Sequence, residues 1–209
     1  SRKSFDISLV VGTLSALAIL VSGHSQAGMV SKEQPAKLAA FEGHFKTGQQ
    51  GDGAILYLFG WPDAESQEVK AGIGVPGGLS FMLHGDFETP VTGLDKIPKE
   101  DHPPIWIPFM SYHVMVALGF FFIGITLLAC FYRWRGTLYT QRWLLWVFVF
   151  AVLGAYIANQ TGWIAAETGR QPFIVYPELN FPKDITAPGA MITPDPAYPG
   201  LRTADGLSK

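Results

Sequence analysis

Polar and charged side chains crowd the end of the last long apolar stretch of this 209-residue chain. Glu167 and Arg170 lie there, Gln171 follows them, and Trp163 precedes Glu167 by about one helical turn. Such residues are unfavourable at the edge of a membrane span and therefore indicate a functional site, in which the Trp163 ring could contact a flat cofactor. The alternative is that Glu167 and Arg170, three residues apart on one helical face, only neutralise each other.

A second pair of charges, Lys37 and Glu42, lies in the long segment between the first two apolar stretches. The two residues are five apart, so on a helix they diverge by about 140° and do not form an i,i+4 ion pair. Each side chain is then available to the polar oxygens of a ring-shaped ligand lying on the apolar side formed by Leu38 and Phe41. The alternative is a pair of solvated surface charges.

Met115 and His113 lie near the start of the second apolar stretch. A methionine thioether is a soft ligand that can be an axial partner of haem iron, although methionine more commonly fills gaps in apolar packing. His113 has three interpretations: a metal ligand, a proton carrier or a polar group at the membrane interface.

The composition excludes several classes of function. The formal net charge of -2 gives no sign of a nucleic-acid partner. The sequence contains no CxxC or HExxH motif, no phosphate-binding glycine loop and no Ser-His-Asp pattern, so hydrolytic and nucleotide chemistry lack support. The single cysteine, Cys130, cannot form an internal disulfide and is expected to be a small buried residue.

Three stretches, at 5–23, 110–132 and 143–166, are long and apolar enough to cross a hydrocarbon core of about 30 Å, which requires roughly 20 helical residues. We therefore predict an all-α integral membrane protein with three transmembrane helices and a long, structurally mixed loop between the first and the second. The first stretch also fits a secretory signal with a cleavage site after Ala27.

The distribution of lysine and arginine gives the orientation. Basic residues flank the first stretch and fill the short link between the second and third, so both regions are expected in the cytoplasm and the loop and tail outside it. The predicted segments are a transmembrane helix at 1–23, an extracytoplasmic loop at 24–105, a transmembrane helix at 106–134, a cytoplasmic link and third transmembrane helix at 135–172, and an extracytoplasmic tail at 173–209.

Within the loop, 34–45 is typical of a short amphipathic helix with Pro35 in its first turn. The stretch 54–59 is typical of a strand, and 70–75 could pair with it as a hairpin. No element is predicted for 77–104, and the proline-rich tail at 177–199 is expected to be irregular.

Four motifs together resemble subunit I of the cytochrome bd quinol oxidases. GHSQA at 23–27, followed by QPAKLAAFEG at 34–43, resembles the start of the quinol-binding loop of that family. SYHVMVA at 111–117 resembles its next transmembrane helix, GWIAAETGRQPF at 162–173 is similar to its hallmark segment, and LRTAD at 201–205 resembles the stretch before its final helices. The resemblance runs in order over nearly the whole chain.

The resemblance implies a role for each candidate residue. Lys37 and Glu42 would take part in binding quinol and in its oxidation, in which its protons are released outside and its electrons pass to the haems. Met115 would be an axial ligand of the low-spin haem b558, and Glu167 would bind the iron of haem b595, beside haem d, where oxygen is reduced to water. Trp163 would lie between haems. Arg170 and Gln171 belong to the tetrad Gly-Arg-Gln-Pro at 169–172, which lies within the hallmark segment. In this tetrad Arg170 would offset the charge of haem propionates or of Glu167.

The chain also departs from the family pattern. His113 stands where many members have arginine, which would give the region near the low-spin haem a titratable group in place of a fixed charge. The segment 177–200 is interpreted as an insertion. The amino-terminal helices with the histidine haem ligands are missing, so we expect a carboxy-terminal fragment of subunit I or, less favoured, a separately encoded half.

The expected partners are the remainder of subunit I, subunit II, quinol, oxygen and lipid, in a bacterial cytoplasmic (inner) membrane that the chain crosses several times. Two other classes of function stay open at this point. One is a quinol-binding or assembly subunit without haem or catalysis. The other is an exported binding protein with a cleaved signal and a membrane anchor.

Overall fold

The computed structural model describes residues 2–207. Ser1, Ser208 and Lys209, which belong to the first predicted segment and to the predicted tail, lie outside the described residues. The chain divides into two compact units. We call the residues at 2–25 and 114–162 the membrane unit, and those at 26–113 and 163–207 the loop unit.

Three long helices confirm the three predicted spans: α1 (Arg2–Glu33), α4 (Trp106–Trp134) and α5 (Arg142–Gly169) are each long and apolar enough to cross a membrane. Helix α1 continues ten residues beyond the predicted end at position 23, because the polar segment that follows the apolar stretch contains good helix formers and no proline before Pro35.

The membrane unit is held together by a small apolar cluster. Leu9 of α1, Ala129 of α4 and Leu144 of α5 are buried together with Leu138 from the link. Asp6, the one charge in the first apolar stretch, accepts hydrogen bonds from Arg133 at 2.8 Å and from the Tyr139 hydroxyl at 2.7 Å. The ends of α1 and α4 are therefore joined by a polar contact that satisfies Asp6.

Most of the remaining apolar side chains in the membrane unit are exposed. Leu14, Phe120, Trp146 and Val152 are examples, each with more than half of its surface free. Exposed apolar surface of this extent requires hydrocarbon or another protein around it, as expected for helices that cross a bilayer.

The loop unit is built around helix α2 (Pro35–Glu42). Pro35 begins the helix, where its missing N–H is not needed, and Gly43 ends it in the left-handed conformation with φ 61°. The helix presents Ala36 and Ala39 to one apolar cluster and Leu38 to another. A helix within the predicted stretch 34–45 is thus confirmed, but it ends at Glu42 and is not amphipathic, because apolar neighbours pack on two of its sides and none of its residues is exposed.

The predicted hairpin is also present. Strands β1 (Leu56–Asp63) and β2 (Glu68–Val75) pair in an antiparallel sheet, with Phe59 opposite Ile73 and Trp61 opposite Lys70. The prediction of no element at 77–104 is wrong for α3 (Gly78–His84). This helix was not recognised because it has only two turns and begins and ends next to glycine, which usually indicates a loop.

The tail contains short strand pairs that the sequence did not predict. Strand β3 (Phe173–Val175) pairs with β6 (Leu201–Arg202), and β4 (Leu179–Asn180) pairs with β5 (Thr193–Pro194). Helix α6 (Thr203–Leu207) follows β6. The segment 177–199, predicted to be irregular, therefore contains the pair β4–β5. It lies between the two strands of the other pair, β3 and β6.

Candidate functional site

Glu42 is the most deeply buried charged side chain of the loop unit. None of its surface is exposed, and neither carboxylate oxygen has a well-formed hydrogen bond among the described residues. Burial raises its pKa from 4.5 to about 7, and the nearby Tyr112 hydroxyl opposes this with a smaller effect. The alternative of a solvated surface charge is therefore wrong for Glu42.

Helix α2 packs directly on the last residue of α5. A Cβ atom placed on Gly169 would lie 2.6 Å from Cε1 of Phe41 and 3.1 Å from Cγ of Lys37, so only glycine permits this approach. Gly169 is the first residue of the tetrad Gly-Arg-Gln-Pro. The loop motif that contains Lys37 and Phe41 and the tetrad at the end of the third span are therefore in contact.

Lys37 is half-buried in this contact. Its pKa is lowered by burial and by the positive charge of Arg170, while the negative charge of Glu167 raises it. Its ammonium nitrogen lies 5.8 Å from the centre of the Phe41 ring, within the range of a cation–π contact. Lys37 is thus a cation in an unfavourable environment, where an additional hydrogen-bond acceptor would stabilise it.

Glu167 and Arg170 form the ion pair that the sequence offered as an alternative. A guanidinium nitrogen of Arg170 donates to Oε2 of Glu167 at 2.5 Å, and each side chain is 41% exposed. Nε of Arg170 is buried without a hydrogen-bond partner among the described residues. Mutual neutralisation therefore does not account for the whole side chain, because one buried donor still lacks an acceptor.

Aromatic rings connect α2 to the start of α4. The rings of Phe41 and Tyr112 stack with centres 4.9 Å apart and planes 16° from parallel. The side chain of Tyr112 thereby lies next to both Phe41 and Glu42. Tyr112 was not among the candidate site residues predicted from the sequence; its position one residue before His113 in a candidate motif was the available signal for a closer role.

His113 is occupied by backbone contacts. Its Nδ1 lies 2.8 Å from the carbonyl oxygen of Phe109 and its Nε2 lies 3.0 Å from that of Tyr57. Both ring nitrogens are thus engaged within the loop unit. The geometry supports the interpretation as a polar group that joins α4 to β1, and gives no support to cofactor binding by His113.

In the membrane unit, Met115 faces the backbone of α5. A Cβ atom on Gly162 would lie 2.6 Å from the sulfur of Met115, so the thioether occupies the space that the glycine leaves. The donor type fits a haem iron, and the long unbranched side chain can change rotamer to reach one. The haem-ligand role of Met115 stays a prediction.

Gln171 and Trp163 differ in their surroundings. The side-chain oxygen of Gln171 accepts a hydrogen bond from the Thr203 hydroxyl at 2.8 Å, and the Thr203 N–H donates to the Pro172 carbonyl at 2.8 Å. The LRTAD motif therefore folds back on the tetrad. Trp163 is 64% exposed, which leaves its face available to a ligand or to lipid.

An ion pair that the sequence did not indicate anchors the same region. Arg202 donates to Oδ1 of Asp101 at 2.6 Å, and Asp101 is almost fully buried. The guanidinium of Arg202 also lies over the Phe173 ring at 5.6 Å from its centre. The partners are about a hundred residues apart in sequence, so no local pattern could have predicted this pair.

The donor groups fit haem binding only in part within this chain. Among the residues that the structure describes, no three His, Cys, Asp or Glu side chains come together to hold a metal ion. A carboxylate at Glu167, a thioether at Met115 and the unpaired buried Nε of Arg170 suit the iron and propionate groups of haem. These residues would supply some of the ligands.

Comparisons with known proteins agree with the sequence motifs. Residues 1–198 match the family described as cytochrome bd terminal oxidase subunit I. The putative cytochrome bd menaquinol oxidase subunit I of Bacillus subtilis (strain 168) is 34% identical over 193 residues, which are 91% of this chain and 42% of that protein. Cytochrome bd ubiquinol oxidase subunit 1 of the same organism is 31% identical over 83% of this chain and 39% of its own length.

A solved structure gives the same result for the fold. The structure of bd oxidase from Geobacillus thermodenitrificans matches with a TM-score of 0.72 and 30% identity, over 97% of this chain and 43% of that one. The chain thus spans less than half the length of each of these relatives.

Proposed function

The chain belongs to the cytochrome bd terminal oxidase subunit I family, and from this premise we propose that it contributes the quinol-oxidising loop and part of the haem-binding core of a bd-type oxidase. Quinol would be oxidised at the loop unit, and its electrons would reduce oxygen to water. The observation that carries the proposal is the contact of α2, which bears Lys37 and Glu42, with the end of α5.

Glu42 would accept a proton from quinol. A general base works best when its pKa is near the working pH, and burial raises the pKa of Glu42 to about 7. Neither of its oxygens has a well-formed hydrogen bond among the described residues, so a quinol hydroxyl would supply a missing contact. The buried carboxyl group of Glu42 can thus take up a proton and release it near neutral pH.

Lys37 would orient the quinol. Its ammonium is half-buried, and its pKa is lowered by burial and by Arg170. A quinol oxygen would give this cation an acceptor, while the Phe41 ring beside it offers a flat apolar surface for the quinol ring. Binding and proton removal would thus be divided between two residues of one short helix.

Met115 and Glu167 would each donate to the iron of a b-type haem, b558 and b595 respectively, with the other ligands and the binding of haem d supplied by polypeptide outside this chain. Bound haem supplies one-electron redox chemistry and oxygen activation. Arg170 would donate its Nε–H, which has no partner among the described residues, to a propionate, while another guanidinium nitrogen donates to Glu167. The exposed face of Trp163 would contact a haem, and Gln171 would hold the tetrad through Thr203.

The proposed setting is a bacterial cytoplasmic membrane that the chain crosses with three helices. We propose that the loop and tail are extracytoplasmic and that subunit II and the remainder of subunit I are the partners.

The test is to measure two activities of Glu42→Ala in the membrane-bound complex. Quinol-driven oxygen consumption should fall by about 100-fold, a typical contribution of a general base, whereas oxygen consumption driven by an artificial donor such as reduced TMPD should fall far less. Glu33→Ala, at the exposed end of α1, is the matched control and should retain both activities. Equal loss of both activities in Glu42→Ala would show that the loop has a structural role only.

A further inference from the structure

The β1–β2 hairpin lies along the first turns of α4. The Tyr57 carbonyl accepts from Nε2 of His113 at 3.0 Å, and the rings of Trp61 and Trp106 meet edge to face with centres 5.6 Å apart. His113 is about 10 Å further along the helix than Trp106, and Tyr57 is about 13 Å along the strand from Trp61. Strand β1 therefore runs beside α4, with its Tyr57 end further along the span.

The turn of the hairpin points the other way. Ala64 and Gln67, which lie in the turn, border a cavity of about 200 Å³ together with Pro104 and Ile105, the residues just before α4. The hairpin thus has one end beside the segment that precedes the span and one end beside the second turn of the span itself.

The length of α4 locates that second end relative to the bilayer. Helix α4 has 29 residues, a length of about 44 Å, against a hydrocarbon core of about 30 Å. Because the helix is longer than the hydrocarbon core is thick, its first few residues lie at the lipid headgroups. Trp106 suits this position, since tryptophan is enriched at the interface between membrane and water. His113 and the Tyr57 end of the hairpin then lie at the boundary between headgroups and hydrocarbon.

The polarity of the exposed side chains changes from one end of the hairpin to the other. At the Tyr57 end, Leu58 is 62%, Phe59 57% and Ile73 64% exposed. At the turn end the exposed or partly exposed side chains include four charged ones, Asp63, Glu65, Glu68 and Lys70, beside the small or polar Ala64, Ser66 and Gln67. Polarity thus changes along the hairpin in the direction in which it approaches the span, which is unlike the alternating faces of a hairpin in water.

We propose that the Tyr57 end of the β1–β2 hairpin inserts into the lipid leaflet at which α4 begins, with Leu58, Phe59 and Ile73 in contact with lipid and the charged turn in water. The Trp61–Trp106 pair joins the hairpin to the first residue of α4. Burial of apolar side chains at the headgroup boundary is the interaction that holds interfacial segments on membranes.

The insertion would also fix the depth of the quinol-binding helix. Val69 of β2 packs against the end of α2, since a Cβ on Gly43 would lie 2.7 Å from Cγ2 of Val69. A hairpin seated in lipid would hold Glu42 close to the bilayer surface, where a lipid-soluble quinol arrives. This consequence, unlike the lipid contact itself, rests on the proposed function.

The experiment is a spin-label accessibility measurement on the intact complex in phosphatidylcholine–phosphatidylglycerol vesicles. Nitroxide labels are placed through Phe59→Cys and, as an independent position on the other strand, Ile73→Cys, in a background with Cys130→Ser and the other cysteines of the complex removed. Ser66→Cys in the turn is the matched control. Power-saturation EPR then compares collisions with oxygen, which concentrates in hydrocarbon, and with a water-soluble nickel chelate.

If the hairpin inserts into lipid, the ratio of oxygen to chelate accessibility is several-fold higher at Phe59 and Ile73 than at Ser66. A ratio equal to that at Ser66 would place the hairpin in water and overturn the proposal. Low accessibility to both reagents would show that protein covers these side chains, and would overturn it as well. The measurement does not depend on enzyme activity, so its failure is distinguishable from failure of the proposed quinol oxidation.

Discussion

In the loop unit the candidate residues lie against one another: Lys37 is next to Gly169, feels the charges of Glu167 and Arg170, and shares its short helix with Glu42. In the membrane unit the candidate ligand Met115 contacts an ordinary helix backbone at Gly162, and most apolar side chains are exposed. The loop unit thus assembles its own polar site. The membrane unit holds one candidate donor, Met115, on helices whose exposed apolar surface requires lipid or other polypeptide around it, so the two units should respond differently to substitution.

The largest effect is expected in the membrane unit. Met115→Leu should abolish the low-spin haem absorption of the purified complex, because leucine cannot donate to iron. The two side chains are similar in volume, so stability should change by less than about 1.5 kcal/mol. Reduced-minus-oxidised spectra measure the haem, and Met110→Leu in the same helix is the control. An unchanged spectrum would refute the ligand role, and absence of any haem from the wild-type complex would favour a non-catalytic subunit.

In the loop unit, Glu42 should make stability depend on pH. Its folded-state pKa of about 7 lies above the usual 4.5, so the unfolded chain loses this proton first as the pH rises. The free energy of unfolding should therefore fall between pH 4.5 and about 7, by about 3 kcal/mol in total. Glu42→Gln removes the titration.

Thermal unfolding of the complex in detergent at pH 5 and pH 8 measures this difference. Glu42→Gln should narrow the gap between the two melting temperatures, and Glu33→Gln should leave the gap as in the wild type. A wild-type gap that persists in Glu42→Gln would assign the pH dependence to other groups.

A smaller effect is expected for Gly169→Ala. The added methyl group would lie 2.6 Å from Cε1 of Phe41, closer than stable packing allows, and 3.1 Å from Cγ of Lys37, so the Phe41 side chain or α2 must shift, at about 1–3 kcal/mol. Both the melting temperature and quinol oxidation should decrease. Gly119→Ala in α4 is the control, because a Cβ there has no described atom within 4 Å. Identical behaviour of the two alanine variants would contradict the close contact of α2 with α5.

The smallest effect distinguishes two neighbouring carboxylates. Asp101→Asn weakens the buried contact with Arg202 and should lower the free energy of unfolding by about 1–2 kcal/mol. Glu100→Gln should change it by less than about 0.5 kcal/mol, because the Glu100 side chain is 70% exposed and its pair with Arg202 is screened by solvent. Chemical unfolding of both variants measures the difference, and equal losses would mean that the burial of Asp101 is unimportant.

Local patterns accounted for the elements that depend on neighbouring residues. The three spans followed from the length of the apolar stretches, and α2 followed from Pro35 in its first turn. The hairpin followed from turn residues between apolar stretches. Helix α3 could not be predicted in this way, because it is too short to show a helical periodicity. The same reasoning missed the strand pairs of the tail, where Phe173 pairs with Arg202 across about thirty residues.

The sequence by itself determined the family, the three helices and the types of donor group that the chain can offer, because motif spacing and hydrophobic length are properties of neighbouring residues. Only the tertiary structure decided that Glu42 is buried, that Gly169 admits α2 to the end of α5, and that Nε of Arg170 has no hydrogen-bond partner among residues 2–207. Burial and charge–charge interaction depend on groups that are distant in sequence, so the pKa of Glu42 is a property of the fold.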